Sequence, residues 1–566
     1  MKSKTTIIHN PIIPGFHPDP SIICVDGVYY IANSTFEWFP GVELYRSEDL
    51  VHWKLDGHIL TNPDYLDLRG VPNSGGVWAP CLSYDGKKFY LVFSITRTFE
   101  EMVQDTDNYL TIAEDIHGPW SKPVYLNSGG FDASLFHDAD GRKWLVNMRW
   151  DGRMNKNHFP GIVLQEVDVE QEKMVGKPQW IFRGTERGLT EGPHLYQKDG
   201  YYYLMTAEGG TSEHHAVTMA RSKKLTGPYE EDPSNPVLTS DGRPEHPIQY
   251  AGHGDLICDE MGQWYLVHLG SRKSLFHGFS VLGRETFLQK VEWTNDGWLR
   301  LCNGTCYPDM EVEICDRKET FHTESEKQEN MLIQEQTKSE KVLNGFQMES
   351  FYHTYTFEED TLDPHFMSLR VPLTEKLMSL TERKGYLRLK GRESLLSHHE
   401  QAMAAIRIQE PEFAVETCMD YHPEHQWHAA GLLFWYHTAN FYYLHVTADE
   451  EGNRKLQILV RDNKVMRQPI GEGIPISNEG DIYLKGIFTP DGIKFYYKVD
   501  IKQDWNEIIL PPEEHFPVTI LSDEYANRCG EQGFTGAFTA LACQDLTGTG
   551  HPVDFAYFSI SKIERR

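Results

Sequence analysis

The chain has 566 residues, 12% of them aromatic, with 46 Gly, 30 Pro and a formal net charge of −29. That length exceeds one ordinary core, so two or more domains are expected, and the turn-forming and aromatic content favours β structure over helix. The acidity argues against nucleic acid as a partner, because like charge repels phosphate, and no apolar run of about 18 residues is present to span a membrane.

The N-terminal MKSKTTIIHNPIIPGFHPDP lacks a long apolar core and a cleavage motif, so no secretory signal is read there. Nine scattered cysteines, an odd number, read as reduced thiols and place the protein in the cytoplasm. Cys302 and Cys306 lie close in sequence, but no second pair completes a zinc site.

Taken in order, the first half of the chain repeats one phrase five times: a short apolar step, an Asp/Gly turn and a second strand-like run. The copies open at Asp19-Pro20-Ser21-Ile22, Ala79-Pro80-Cys81-Leu82, Asp132-Ala133-Ser134-Leu135, Glu191-Gly192-Pro193-His194 and His253-Gly254-Asp255-Leu256. Their starts are about 53 to 62 residues apart. Related segments such as Arg46-Ser47-Glu48-Asp49 and Ala220-Arg221-Ser222 recur later in the period, so each period holds about four strands without helical periodicity. Four-stranded units repeated around an axis make a β-propeller, and five copies predict five blades. β-Helix repeats are far shorter, and a sandwich does not repeat.

Composition shifts at Glu311, where a charged, Gly-poor stretch begins that includes Arg317 to Lys341. Strand alternation returns near Phe346, with Ala430 to Tyr436 and Phe441 to Val446 flanking a Thr438-Ala439-Asn440 turn, followed by Lys455 to Val460. About 200 residues of non-repeating antiparallel strands predict a β-sandwich. The expected division is therefore 1–310 propeller, 311–345 charged linker and 346–566 β-sandwich of the lectin-like jelly-roll kind, an all-β protein.

In a propeller the first strand of each blade lines the axis, so matched positions face one another. The alignment above puts Asp19, Ala79, Asp132, Glu191 and His253 in one row. Singly, an Asp before Pro or Ser is most simply a turn residue, and a His between glycines is as readily structural as functional. Three carboxylates converging on one volume are costly unless one stays protonated, so the cluster carries the signal. Paired carboxyl groups across a pocket suit glycoside hydrolysis. Phe36, Trp38, Trp78 and Phe131 would offer aromatic faces to a sugar.

PGFHPDPS (14–21), STFEWFPGV (34–42), SGGVWAPCLSY (74–84), DASLFHDADGRKWLVNM (132–148), TEGPHLY (190–196), AGHGDL (251–256), LGRET (282–286), GFTGAF (533–538) and CQD (543–545) follow one another along the chain. This series resembles glycoside hydrolase family 43, more narrowly its two-domain β-xylosidases, through nearly the whole chain. The resemblance implies an inverting exo-hydrolase releasing β-D-xylose from xylooligosaccharides. Asp19 would be general base, Glu191 general acid and Asp132 the carboxylate that tunes and orients the acid. Phe36, Trp78, Ala79 and Phe131 would wall or border the first subsite, Thr211 would lie at its rim, Arg284 would bind sugar hydroxyls and His253 would sit beneath the sugar. Phe534 would reach from the sandwich to close the pocket. No cofactor is required by this reading; some relatives hold a divalent metal such as calcium in the channel near His253, and no metal-ligating set is identified here. A homo-oligomer, dimer or tetramer, is expected. The rival activities are α-L-arabinofuranosidase, alone or with xylosidase, and non-catalytic carbohydrate binding. Ser271 to Phe279 departs from the family in lacking Pro before LGRET, and the charged 317–341 segment is longer than the usual connector.

Overall fold

The computed structural model describes residues 5–100, 102–315 and 351–563. The charged 317–341 segment lies outside the described residues. Five antiparallel blades are present in sequence order, four of four strands and the fourth with a short fifth strand, Leu238–Thr239; their innermost strands are Ser21–Val25, Gly76–Tyr84, Ser134–His137, Glu191–Lys198 and Gln249–Cys258. The same apolar pair anchors each blade: Ile22 with Ile31, Leu82 with Leu91, Leu135 with Leu145, Leu195 with Leu204, and Leu256 with Leu266. Period-2 alternation thus buries one face of each blade against its neighbour.

The ring is joined between its first and last blades. Asp255 of blade 5 accepts from Ser21 Oγ (3.0 Å) and Ile22 N (2.9 Å) of blade 1, while Asn10 exchanges hydrogen bonds with the Leu288 backbone of blade 5. A further pairing, Thr5–His9 with Glu311–Cys315, corrects the boundary expected from composition. The charged residues Glu311 and Glu313 alternate with buried Val312 and Ile314, so this segment is a half-buried strand of the propeller.

The second domain is a sandwich of two large antiparallel sheets. The predicted hairpin is present as His428–His437 and Asn440–Ala448, with Asn440 in the strand instead of the turn, followed by Arg454–Asp462. Every residue of the first two strands is buried. One face of their sheet packs on the outer sheet. The other presents Leu433, Trp435, Phe441 and Phe538 to Phe16, Phe36 and Trp38 of the propeller, with Trp38 stacked on Phe538 at 3.8 Å. Strands without polar alternation are what burial on both faces requires. Ser368–Leu369 also pairs with Trp38–Phe39, so the domains share backbone hydrogen bonds as well as a core.

Candidate active site

The site is built on an unusual backbone row at the start of the innermost strands. Asp19, Ala79, Asp132 and His253 all have left-handed φ, at 52°, 31°, 52° and 43°, and Gly192 joins them at 55°. Non-glycine residues held there cost on the order of 1–3 kcal/mol each and cluster at functional sites. The row corrects the sequence alignment in one place. Its fourth member is Gly192, three residues before the anchor Leu195, as Asp19, Ala79, Asp132 and His253 precede theirs. Glu191 belongs one residue earlier, in the register of Trp78 and Phe131. Blade 2 has the same register shift, with Trp78 paired to Ser94 before the ladder moves to Cys81 and Val92, so Glu191, paired to Ala207 before the ladder moves to His194 and Met205, is the counterpart of Trp78. The acidic residue therefore stands in the series that supplies the pocket wall.

A cavity of about 300 Å³ is lined by all three carboxyl residues together with Phe36, Trp78, Phe131, Thr211, His253, Arg284 and Phe534. Ala79 is the exception among the predicted binding residues. It is buried and faces a void of about 10 Å³ below, shared with Asp19, Asp132, His194 and His253.

The carboxyl groups have different surroundings. Asp19 Oδ2 accepts from Ser34 Oγ at 2.6 Å, while Oδ1 lies 3.4 Å from Arg284 Nη1 and 3.5 Å from His253 Nδ1. Asp132 Oδ2 accepts the Gly192 amide at 3.1 Å, which favours its anion. The Glu191 carboxyl makes no hydrogen bond among the described residues, although its backbone pairs with Ala207. Burial, then the negative charges of Asp132 and Asp19, raise the Glu191 pKa well above the ordinary range. Burial and Asp19 push Asp132 up as well, to about 8. Both carboxyls are thus held above the ordinary range, and the Gly192 amide on Asp132 makes that residue the first of the two to lose its proton and Glu191 the one that keeps it. Burial lowers His253 to about 4, leaving a neutral imidazole beside Asp19.

Aromatic edges complete the wall. Trp78 meets Phe131 edge-on at 5.4 Å, Phe534 at 6.2 Å and Phe99 at 5.3 Å, and Arg284 lies over both Phe36 and Phe534. The outer half of the cavity is made by residues that sequence reasoning missed: Phe99, Gln104, Trp150, Phe159 and Gln532. Phe99 and Gln104 sit on a long hairpin of blade 2, Phe89–Glu100 and Val103–Ala113, whose polar tip reads as a loop. Trp150 Nε1 donates to Met102 O at 3.1 Å, tying the following loop to that hairpin. Gln104 Oε1 is buried without a hydrogen-bond partner. The strand lengths were the available signal; the convergence was not in the repeats.

The residues beside His253 do not fit calcium. That ion takes about six to eight oxygen ligands, whereas the void there is lined by prolines, Cys81, two imidazoles and two aspartates. Among the described residues no group of three or more His, Cys, Asp or Glu is arranged to hold a metal. The Ser271–Phe279 departure contributes nothing to the cavity wall. It includes a short 3-10 turn, Lys273–Phe276, packed against the sandwich, with Lys273 Nζ 3.5 Å from Glu524.

The geometry meets its relatives at full length. The model of "Glycosyl hydrolases family 43" matches residues 8–299, and that of "Beta xylosidase C-terminal Concanavalin A-like domain" matches residues 354–561. A beta-xylosidase of Bacillus subtilis is 43% identical over 564 residues, covering 97% of this chain and 99% of that protein. A xylosidase/arabinosidase 43B of Humicola insolens is 42% identical, with 98% of each chain covered. The crystal structure of a xylan beta-1,4-xylosidase from Bacillus Halodurans has a TM-score of 0.89 at 45% identity, covering 98% of this chain and 100% of that one. A propeller carrying three buried carboxyl groups, joined to a Concanavalin A-like sandwich and matched along its whole length, places this chain in glycosyl hydrolase family 43.

Proposed function

We propose that the protein is an exo-acting, inverting β-xylosidase that releases β-D-xylose from the non-reducing ends of xylooligosaccharides. The observation that carries this reading is the set of three buried carboxyl groups in one aromatic-walled cavity closed by Phe534 of the second domain. At about 300 Å³ the cavity is at the small end of ligand pockets, about 300–1,000 Å³, which suits a terminal sugar and its neighbour better than a threaded polymer.

Asp19 and Glu191 come from blades 1 and 4, which are not adjacent in a ring of five, so they face the sugar from different sides. Asp19 acts as base on a water attacking the anomeric carbon. Its acceptor oxygens are held in place by Ser34, Arg284 and neutral His253. Glu191, kept protonated by burial and by its anionic neighbours, gives its proton to the departing glycosidic oxygen. Asp132 acts on that proton through its charge and holds the Glu191–Gly192 backbone. Phe36, Trp78, Phe131 and Phe534 cover the apolar faces of the first sugar. In the outer half, the unpaired Gln104 carbonyl oxygen is placed to accept from a hydroxyl of the leaving sugar.

α-L-Arabinofuranosidase activity in the same pocket is the second reading, supported by the relative named xylosidase/arabinosidase. A homo-oligomer of two or four chains, on the family resemblance, and a cytoplasmic location, on the nine scattered cysteines, complete the proposal.

The deciding experiment is a product profile on xylotetraose and on arabinosylated xylan, with NMR of the fresh product. Xylose released singly, α-anomer first, is the expected result. Initial β-xylose would refute inversion, internal fragments would refute exo action, and arabinose as sole product would favour the second reading.

A further inference from the structure

The motif Ser74-Gly75-Gly76 has no part in the chemistry above, yet it is among the most constrained segments of the propeller. Ser74 has φ 60° and Gly76 φ 92°; a Cβ on Gly76 would stand 2.2 Å from Phe36 O, and one on Gly75 would stand 2.9 Å from the Val71 side chain. This backbone must pass directly against the pocket wall.

Ser74 is 1% exposed and uses every polar group it has. Its amide donates to Glu37 Oε1 at 3.2 Å, and its carbonyl accepts from Trp78 Nε1 at 3.0 Å. Its hydroxyl donates to Gln532 O at 3.0 Å and accepts from Phe534 N at 3.2 Å. The first two bonds lie within the propeller, at residues in or beside the wall. The last two reach across to the sandwich loop that carries Gln532 and Phe534 into the cavity. Phe534 O accepts in turn from Arg284 Nη2 at 2.8 Å, and Arg284 is the group beside Asp19.

The loop has two further ties: Gly533, between the two clasped residues, donates its N–H to Asn527 Oδ1 at 3.1 Å, and Ala537 N donates to Val281 O at 2.9 Å on the C-terminal side. Among the described residues, Gln532 O and Phe534 N have the Ser74 hydroxyl as their partner. Neighbouring Val71 and Asn73 reinforce the contact, through Arg370 Nε to Val71 O at 2.7 Å and Asn73 Nδ2 to Thr438 Oγ1 at 2.9 Å.

We propose that Ser74 is a positioning residue for the reaction: its hydroxyl clasps the sandwich loop so that Phe534 and Gln532 complete the sugar pocket. The clasp contacts the sugar only through that loop. Losing it weakens binding in the ground state and transition state alike, which appears in KM with kcat retained. The inference goes beyond the proposed activity and relies on it only for the choice of substrate.

Ser74→Gly tests it cleanly, because glycine is at ease at φ 60° and the substitution removes the hydroxyl without straining the backbone. The full-length enzyme, S74G, F534A and the double variant are compared on 4-nitrophenyl β-D-xyloside and 4-nitrophenyl α-L-arabinofuranoside, with thermal melting of each. The expected result is a KM raised about tenfold in S74G, kcat within about twofold, Tm nearly unchanged, and no added effect of S74G on the F534A background. An unchanged KM overturns the proposal. So do independent, multiplying effects of S74G and F534A, or a fall in kcat that tracks a lowered Tm. A wild-type enzyme that cleaves only the arabinoside sinks the xylosidase reading while the Ser74 comparison proceeds on that substrate.

Discussion

Asp132 stabilises the protonated form of its neighbour at a cost to the fold, and both effects can be measured. Once Asp132 ionises, its charge holds the proton on Glu191 more tightly, so Asp132→Asn should let Glu191 lose its proton at lower pH. The basic limb of the kcat/KM profile should then move down by about one pH unit, and an unmoved limb would remove Asp132 from that role. The stability effect has the opposite sense. A carboxyl whose folded pKa is raised to about 8 binds protons more tightly in the folded state, so it subtracts stability as pH rises from about 4 to 8. D132N should therefore raise Tm by a few degrees at pH 8 and much less at pH 5. Glu191→Ala should cut xylobiose cleavage by at least about a thousandfold while sparing a 2,4-dinitrophenyl xyloside, whose leaving group needs no proton. Equal losses on both substrates would contradict its assignment as acid. These carboxyl residues were legible from the repeats. The Gly192 amide that separates the Asp132 and Glu191 environments was not, because it is a contact between two blades 60 residues apart in the chain.

Among the elements, the repeated strand start is what concentrates the chemistry. Four non-glycine residues in left-handed conformation turn the chain at the head of four blades and set Asp19, Asp132 and His253 about one axis. Ala79, in the same row, bears strain with no polar side chain to use. Ala79→Gly should therefore stabilise the protein by about 1 kcal/mol, read as a higher urea midpoint at unchanged slope with activity retained. A loss of stability would show that the Ala79 methyl packing outweighs the strain. The blade period could be read from the Asp/Gly turns and apolar anchors, since both follow from short-range chemistry. The hairpin carrying Phe99 and Gln104 could not be assigned to the pocket, because nothing local says where its tip lies relative to Trp150 and Phe159.

For the whole molecule, the sandwich is part of the catalytic architecture. Its inner sheet covers Phe16, Phe36 and Trp38, and a buried ion pair crosses the interface, Arg407 with Glu43 at 2.5 Å, while the buried Arg370 guanidinium feels the charge of Glu37 without an ion-pair contact. Burial alone would raise the Glu43 pKa, but the positive charge of Arg407 and the His17 contact hold it well below the ordinary range. Removing the second domain leaves these charges unpaired and the aromatic face exposed, a costly combination. A chain truncated after residue 345 should be insoluble or inactive, as measured by size-exclusion chromatography and aryl-xyloside turnover. A monodisperse, fully active propeller would refute the pocket-completing role of Phe534.

The amino-acid sequence by itself determined the five-fold repeat, the return to non-repeating strands and the three carboxyl residues, because alternation, turn chemistry and residue type are local properties. Tertiary structure alone decided that the Gly192 amide reaches Asp132, that Glu311–Cys315 pairs with the N-terminal strand, and that Gln104, Trp150 and Gln532 share a cavity with Asp19. Those outcomes depend on a contact between neighbouring blades, a long-range strand pairing and a domain interface, each joining residues whose neighbours in space are remote in the chain.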